Sequence, residues 1–342
     1  LGMKAVLAIV SDITMNPAKL YVPEILKMRA SADFIVGNSL EDFTSHPQFA
    51  QINGIVWVPP SDGSVLPKLW NACNNAKVKW LHCGFAGVDA IHPFILDHLV
   101  KREDVIVTNA KGAYSRSLAE YAMCAALHFE KQVSRIQRNT QNKIWDKFTM
   151  GELHGKTMGF VGFGDIAQTT ARVAKDGFGM KIVAMRRQQG GDPSGLADEC
   201  YSSEVQDERL QVFRKADYVV CSLPGTPQTK RAISTEQFAA MKPSAVFISI
   251  GRGSVVDEAA LAHALATGVV AGAALDVFET EPLATESPLW GMDNVLVTAH
   301  NADWTATYCE EARRVFESNL RHYQEYLDAA AATTAKCGGP VG

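Results

Sequence analysis

The sequence predicts an α/β protein built from two doubly wound parallel sheets, each covered by helices on both faces, with a ligand cleft between the two domains. Three observations carry that reading. Short β-rich runs alternate with amphipathic helical stretches along the chain, the pattern of βαβ units rather than hairpins. Those β-rich runs are apolar on both faces, as a sheet buried beneath two helical layers requires. The alternation stops and then restarts within 342 residues, a length that suits two domains at roughly 100–200 residues each.

In the first half, residues 4–10, 32–36, 54–58, 78–82 and 105–108 read as strands. Helices are expected over 18–30, 41–51, 65–75 and 92–101. The opening apolar run is broken at Asp12 and precedes no small-residue cleavage site, so it reads as a first strand and not a leader. A long helix over 115–132 follows, then a polar stretch through Trp145, Asp146 and Lys147. Strands then recur at 158–161, 181–185, 218–222, 245–249, 272–277 and 295–298. A helix over 257–266 opens on acidic and small residues, where the helix dipole favours them. A last amphipathic helix is expected over 305–327, and the Ala-, Thr- and Gly-rich tail from Asp328 is expected to be disordered.

Apolar residues make up 47% and charged residues 20% of the chain, which excludes disordered, collagenous and coiled-coil classes. The formal net charge of −4 gives no general attraction to nucleic acid or to an anionic membrane. No apolar run approaches the ~18 residues of a membrane span. Seven scattered cysteines without a Cys-x-x-Cys pair suit reduced thiols in the cytoplasm. His82, His92 and His98 lack a carboxylate or thiol at ligand spacing, so they read as solvated or capping groups and no metal site is expected. Cys83 has no basic neighbour and reads as core, while Lys131, Arg135 and Arg138 read as a solvated basic helical face.

Chemistry first shows at Gly162-Phe163-Gly164-Asp165-Ile166-Ala167, which follows a strand and opens a helix. Gly162 serves the tight turn, Gly164 lets backbone approach a pyrophosphate, and Ala167 keeps helix and strand close. The helix N-terminus then offers N–H groups to the phosphates. An NAD site would place an acid about 20 residues on, to hold the ribose 2′-hydroxyl. Here the strand ends in Arg186-Arg187, and no acid occurs until Asp192. Two guanidiniums suit a 2′-phosphate, so NADP(H) is preferred, with NAD(H) the other possibility.

Three further segments stand at strand ends: Ser249 to Gly253, Leu275 to Pro282, and Thr298 to Asn301. Ligands in open α/β sheets sit beyond the carboxyl ends of strands, so Arg252, Glu281 and His300 can converge there. A histidine with a carboxylate partner is a natural acid, and an arginine can polarise a carbonyl while holding a neighbouring carboxylate. That trio fits a 2-oxo acid that receives hydride from a nicotinamide.

With these segments, the chain from about residue 50 to 325 resembles the D-isomer-specific 2-hydroxyacid dehydrogenases. The resemblance is carried by Gly84-Phe85-Ala86-Gly87-Val88-Asp89, Ser117-Leu118-Ala119-Glu120, the 162–167 turn, Leu223-Pro224, Gly251-Arg252-Gly253, the 275–282 segment and the His300 segment. It implies two Rossmann-like domains: a discontinuous substrate domain of residues 1–112 plus 303–342, and a dinucleotide-binding domain of residues 113–302. It also implies His300 as proton donor, Glu281 as its partner and Arg252 as the substrate anchor. Backbone amides around Phe85, Ala86 and Gly87 would hold the substrate carboxylate. Asp165 and Ile166 would touch the pyrophosphate, Leu223, Pro224 and Ile250 would line the riboses, and Asp276 would bond the nicotinamide carboxamide. A homodimer through the nucleotide domains is implied as well, with the 115–132 helix contributing.

The chain departs from the family where Thr298-Ala299 precedes His300 in place of the usual proline, and where Asn301-Ala302-Asp303-Trp304 replaces a glycine-rich stretch. Trp304 either packs within the protein or reaches the mouth of the site. The arginine pair matches members similar to NADPH-using glyoxylate or hydroxypyruvate reductases. The leading expectation is therefore an NADPH-dependent reductase of small 2-oxo acids. An NAD-dependent dehydrogenase of the phosphoglycerate type is the alternative within the family, and a dinucleotide-sensing corepressor the alternative of another class. Formate dehydrogenase chemistry is disfavoured, because Glu281 stands where a glutamine would be expected.

Overall fold

The structure, a computed structural model, describes residues 4–59, 63–73, 76–188 and 190–337, with side chains up to residue 332. In chain order it runs β1 (Ala5–Val10), α1 (Ala18–Leu26), β2 (Ala32–Gly37), α2 (Leu40–Thr44), β3 (Gly54–Trp57), α3 (Val65–Ala72), β4 (Trp80–Cys83), α4 (His92–Phe94) and β5 (Ile106–Asn109). Next come α5 (Ser115–Glu130), α6 (Val133–Gln141), β6 (Thr157–Val161), α7 (Asp165–Arg172), β7 (Lys181–Arg186) and β8 (Glu199–Ser202). The rest is α8 (Gln211–Lys215), β9 (Tyr218–Cys221), α9 (Thr235–Ala240), β10 (Val246–Ser249), α10 (Glu258–Ala266), β11 (Gly272–Leu275), β12 (Val295–Val297) and α11 (Tyr308–Cys337). Two compact units result: residues up to Ala113 together with those from Ala306, and Tyr114–Thr305.

The first unit holds a five-stranded sheet in the order β2-β1-β3-β4-β5, and every pair is parallel. Each of the six residues of β1 is buried, as double coverage by helices demands. α11 belongs to this unit. Its Phe316 ring stacks on Trp80 at 5.7 Å between centroids, and the Tyr323 hydroxyl donates to the Asn53 carbonyl at 2.5 Å. Disorder was expected from Asp328, yet the helix continues to Cys337. The Ala run there has the best helix propensity of any residue type and lets an existing helix propagate. The stretch expected as one helix over 41–51 divides in two. Ser39 and Asp42 form a reciprocal capping box on α2, and a 3₁₀ turn at Phe49–Gln51 follows Pro47.

His82 is not a solvated or capping group. It is fully buried between Trp80 and Phe316, with Nδ1 2.9 Å from the Thr108 hydroxyl, and burial lowers its pKa to about 3. Cys83 is core, its thiol raised to about 12 by burial.

The second unit holds seven parallel strands in the order β12-β11-β10-β9-β6-β7-β8. The chain leaves β6 in one direction to β7 and β8, then returns to build β9 to β12 on the other side. The crevice between β6 and β9 is therefore a topological switch point, where open α/β sheets take their ligands. The edge strand β8 escapes sequence reading because Glu-Cys-Tyr-Ser lacks an apolar pattern. The helix expected over 115–132 ends at Glu130, since Gln132 turns left-handed (φ 51°) before α6. The basic face there is solvent-exposed, as expected, at 40% for the Arg135 side chain and 54% for Arg138, and it is also engaged in local pairs. Lys131 donates to the Gly151 carbonyl at 2.7 Å, Arg135 pairs with Asp146 at 2.6 Å, and Arg138 lies 3.6 Å from Asp293.

Candidate active site

Gly162 directly follows β6 with φ +86°, a region that L side chains rarely adopt, and a Cβ there would lie 2.7 Å from Leu223 Cδ2. That clash shows how closely the β6 turn and the Leu223-Pro224 turn after β9 approach across the switch point. Gly164 is the N-cap of α7 and brings no side-chain cap, and a Cβ built on it would meet nothing within 4 Å. The first-turn amides of α7 thus open onto free space, which fits a pyrophosphate. Ile166 lies in that first turn. The Asp165 carboxylate accepts a hydrogen bond from the Ser115 hydroxyl, which holds this acid by α5. Arg186 ends β7 half-buried and Arg187 is exposed. Ile250 is buried directly after β10.

Asp276, just past β11, is 2% exposed, and its carboxylate organises the segment that carries His300. Oδ1 accepts from the Thr298 hydroxyl at 2.6 Å and from the Asn301 N–H at 3.0 Å, while Oδ2 accepts from the Ala302 N–H at 3.1 Å. The His300 N–H donates to the Asp276 carbonyl at 2.8 Å. Tyr121 of α5 adds an outer bond, its hydroxyl 2.8 Å from that of Thr298. This chain was not legible in the sequence, because Tyr121 and Thr298 lie 177 positions apart. His300 itself is held at φ +49° by these contacts.

In that position His300 Nδ1 lies 2.7 Å from Glu281 Oε2, and Glu281 Oε1 accepts from the Phe278 N–H at 3.0 Å. The hydrogen bond to Glu281 raises the imidazole pKa against the opposing effect of burial. Burial works against the Glu281 carboxylate, yet the bonds from His300 and Phe278 outweigh it and lower its pKa. Arg252, in the turn after β10, donates to the Gly251 carbonyl at 2.9 Å, and its charge acts on both partners. The neighbouring Gly253 admits no side chain, since a Cβ would fall 1.9 Å from the Phe278 backbone. This contact locks the arginine turn against the Glu281 segment. Sequence reading singled out Arg252, Glu281 and His300, and the structure brings all three into electrostatic range of one another. It adds Asp303, whose carboxyl pKa burial raises and which feels the charges of His300, Asp276 and Arg252. An acid three residues past His300 is the only trace of it in the sequence.

The Phe85-Ala86-Gly87 loop follows β4 in the first unit. The Ala110 N–H reaches the Phe85 carbonyl at 3.2 Å, and the Asn109 side chain reaches that of Ala86 at 2.7 Å. Of the segment between β3 and α3, residues 60–62 lie outside the described residues. Trp304 is 44% exposed, with its N–H on the Asn301 carbonyl. Among the described residues no cluster of metal-ligating groups occurs, and no helix is long and apolar enough to cross a membrane.

A seven-stranded parallel sheet with an open glycine turn at its switch point defines a Rossmann-like dinucleotide-binding unit. Residues 123–302 match the family described as D-isomer specific 2-hydroxyacid dehydrogenase, NAD binding domain. The chain belongs to that family, whose members are NAD(P)-dependent oxidoreductases. It is 36% identical over 214 residues to D-3-phosphoglycerate dehydrogenase of Methanocaldococcus jannaschii, a match that covers 61% of this chain and only 38% of that protein. It is 30% identical over 299 residues to glyoxylate/hydroxypyruvate reductase B of Shigella boydii, covering 81% of this chain and 87% of the relative. A family member from Xanthobacter autotrophicus, solved with NADPH and MES, superposes with a TM-score of 0.74 at 25% identity, covering 96% of each chain.

Proposed function

We propose that this protein reduces a small 2-oxo acid of the glyoxylate or hydroxypyruvate kind to the D-2-hydroxy acid, with NADPH as preferred reductant. The observation that carries the reading is the 2.7 Å His300–Glu281 pair beside Arg252, held at strand ends of the unit whose switch point presents the open α7 N-terminus. NADPH bound there supplies a hydride to the substrate's carbonyl carbon. His300, charged through Glu281, donates its Nε2 proton to the carbonyl oxygen, so that hydride and proton together make the alcohol. Arg252 anchors the substrate carboxylate and polarises the carbonyl. Phe85, Ala86 and Gly87 supply backbone amides to the same carboxylate. The α7 amides at Asp165 and Ile166 hold the pyrophosphate, Leu223, Pro224 and Ile250 border the riboses, and Asp276 orients the carboxamide. Arg186 and Arg187 bind the 2′-phosphate, a reading supported by the absence of an acid at the end of β7. Residues 1–112 with 303–342 act as the substrate domain and 113–302 as the dinucleotide domain, in a cytoplasmic homodimer.

Initial rates with glyoxylate, hydroxypyruvate, pyruvate and phenylpyruvate, each with NADPH and with NADH, test the proposal. NADPH preference is expected, and His300→Ala is expected to lower kcat by about 10²–10⁴-fold, the usual contribution of a positioned acid. Preference for NADH would overturn the arginine assignment. Its combination with turnover of a phosphorylated hydroxy acid would favour the phosphoglycerate-type reading, to which the Methanocaldococcus relative lends weight. No turnover of any 2-oxo acid, with peptide partners captured instead, would favour a dinucleotide-sensing protein.

A further inference from the structure

The loop after β7 contains the first acid downstream of the arginine pair, Asp192. An acid there, left free, would repel a 2′-phosphate and compete with it for the guanidiniums. The structure shows its carboxylate consumed locally. Oδ1 accepts from the Ser194 N–H at 2.9 Å and from the Ser194 hydroxyl at 2.6 Å. Oδ2 accepts from the N–H groups of Leu196 at 2.8 Å and Ala197 at 3.0 Å. The Asp192 carbonyl also accepts from the Gly195 N–H at 3.2 Å. These bonds outweigh burial and keep the carboxyl ionised below its usual range. The residue immediately before it, Gly191 (φ +77°), turns its carbonyl to Arg186, whose Nη1 donates to it at 3.2 Å. The Arg186 carbonyl is fixed in turn by the Ser203 N–H at 2.8 Å, and the Arg187 carbonyl by the Ser202 hydroxyl at 3.1 Å. Among the described residues no acceptor meets Arg186 Nε or Nη2, so one bidentate edge remains for a phosphate.

We propose that Asp192 is a positioning residue for the 2′-phosphate: by folding residues 192–197 around its carboxylate it sets the Gly191 carbonyl that aims Arg186. The inference rests on the NADPH reading above and extends it to a residue that touches no coenzyme. The loop costs NADPH binding if it slackens, and it has no equivalent bearing on NADH.

Dissociation constants for NADPH and NADH, measured calorimetrically on the full chain, provide the test. The proteins compared are wild type, Asp192→Ala, Asp192→Asn, Ser194→Ala and Arg186→Ala. Asp192→Ala is expected to weaken NADPH about tenfold, the size of one charge-assisted hydrogen bond, while NADH changes less than about twofold. Asp192→Asn, which keeps one acceptor oxygen, is expected to fall between wild type and the alanine variant. Ser194→Ala removes one hydroxyl bond from the opposite side and serves should Asp192→Ala fail to fold. An equal loss for both coenzymes, or none, overturns the inference. Where Arg186→Ala erases the NADPH preference and the Asp192 and Ser194 variants retain it, this inference fails alone. Where wild type shows no preference and Arg186→Ala changes nothing, the arginine reading fails and takes this one with it.

Discussion

In the proposed mechanism the hydrogen bond between His300 and Glu281 sets the working pH. Glu281 raises the imidazole pKa above its ordinary 6.5, so the protonated form that ketone reduction consumes persists further into the neutral range. Reduction should therefore hold steady below the raised pKa and fall about tenfold per pH unit above it. Oxidation of the hydroxy acid needs the neutral imidazole and should show the mirror-image limb. Glu281→Gln keeps a hydrogen-bonding side chain but removes the charge, which should move the alkaline limb of kcat/KM for reduction to lower pH. The pH profile of the variant beside wild type checks this, and an unmoved limb would mean that Glu281 does not tune the acid. Arg252, Glu281 and His300 were legible in the sequence because each follows an apolar run and has few other reasons to be there. The sequence suggests Asp276 only as a candidate coenzyme ligand. The role the structure shows, wrapping the 298–302 segment so that His300 sits at a left-handed φ, depends on partners that no local spacing announces.

Strand positions were legible to within a residue or two, since a parallel sheet covered on both faces forces continuous apolar runs. Helix ends were less so. The 115–132 helix stops at Glu130, where Gln132 reverses the chain, and the last helix outruns its amphipathic pattern because alanine needs no packing to stay helical. The edge strand β8 was missed because a polar strand carries no hydrophobic period. α11 shows what a single element contributes to packing within the first unit. Phe316 is fully buried, stacks on Trp80, lies 5.0 Å from the His82 ring, and covers the β4 strand that precedes the Phe85 loop. Phe316→Ala would leave a cavity beneath that strand, and a loss of about 3–5 kcal/mol is expected on the scale of buried aromatic truncations. Chemical denaturation followed by tryptophan fluorescence measures it. A change under about 1 kcal/mol would show that the helix packs there without supporting the sheet.

At the scale of the whole molecule, the segment from Lys143 to Gly151 poses the question of assembly. Trp145 is 99% exposed, Ile144 54% and Met150 45%, an unusual concentration of apolar surface for one short stretch. The stretch is not slack. Asp146 is clamped by Arg135, whose guanidinium lies 4.1 Å from the centre of the Phe148 ring, and the Thr149 and Gly151 carbonyls are held by Gln132 and Lys131. A tryptophan buries roughly 150–250 Å² when covered, worth several kcal/mol at about 25 cal/mol/Å². Under the proposed homodimer, a second copy of the chain would cover this arm, since a closed two-fold pair brings the same patch of both subunits together. In such a two-fold pair each Trp145 would be buried by the other subunit, and one substitution would remove both contacts. Trp145→Glu should then convert dimers to monomers in multi-angle light scattering, with the far-ultraviolet circular dichroism unchanged. A wild-type monomer would remove the need for a partner. A variant that stays dimeric would place the interface elsewhere on the chain.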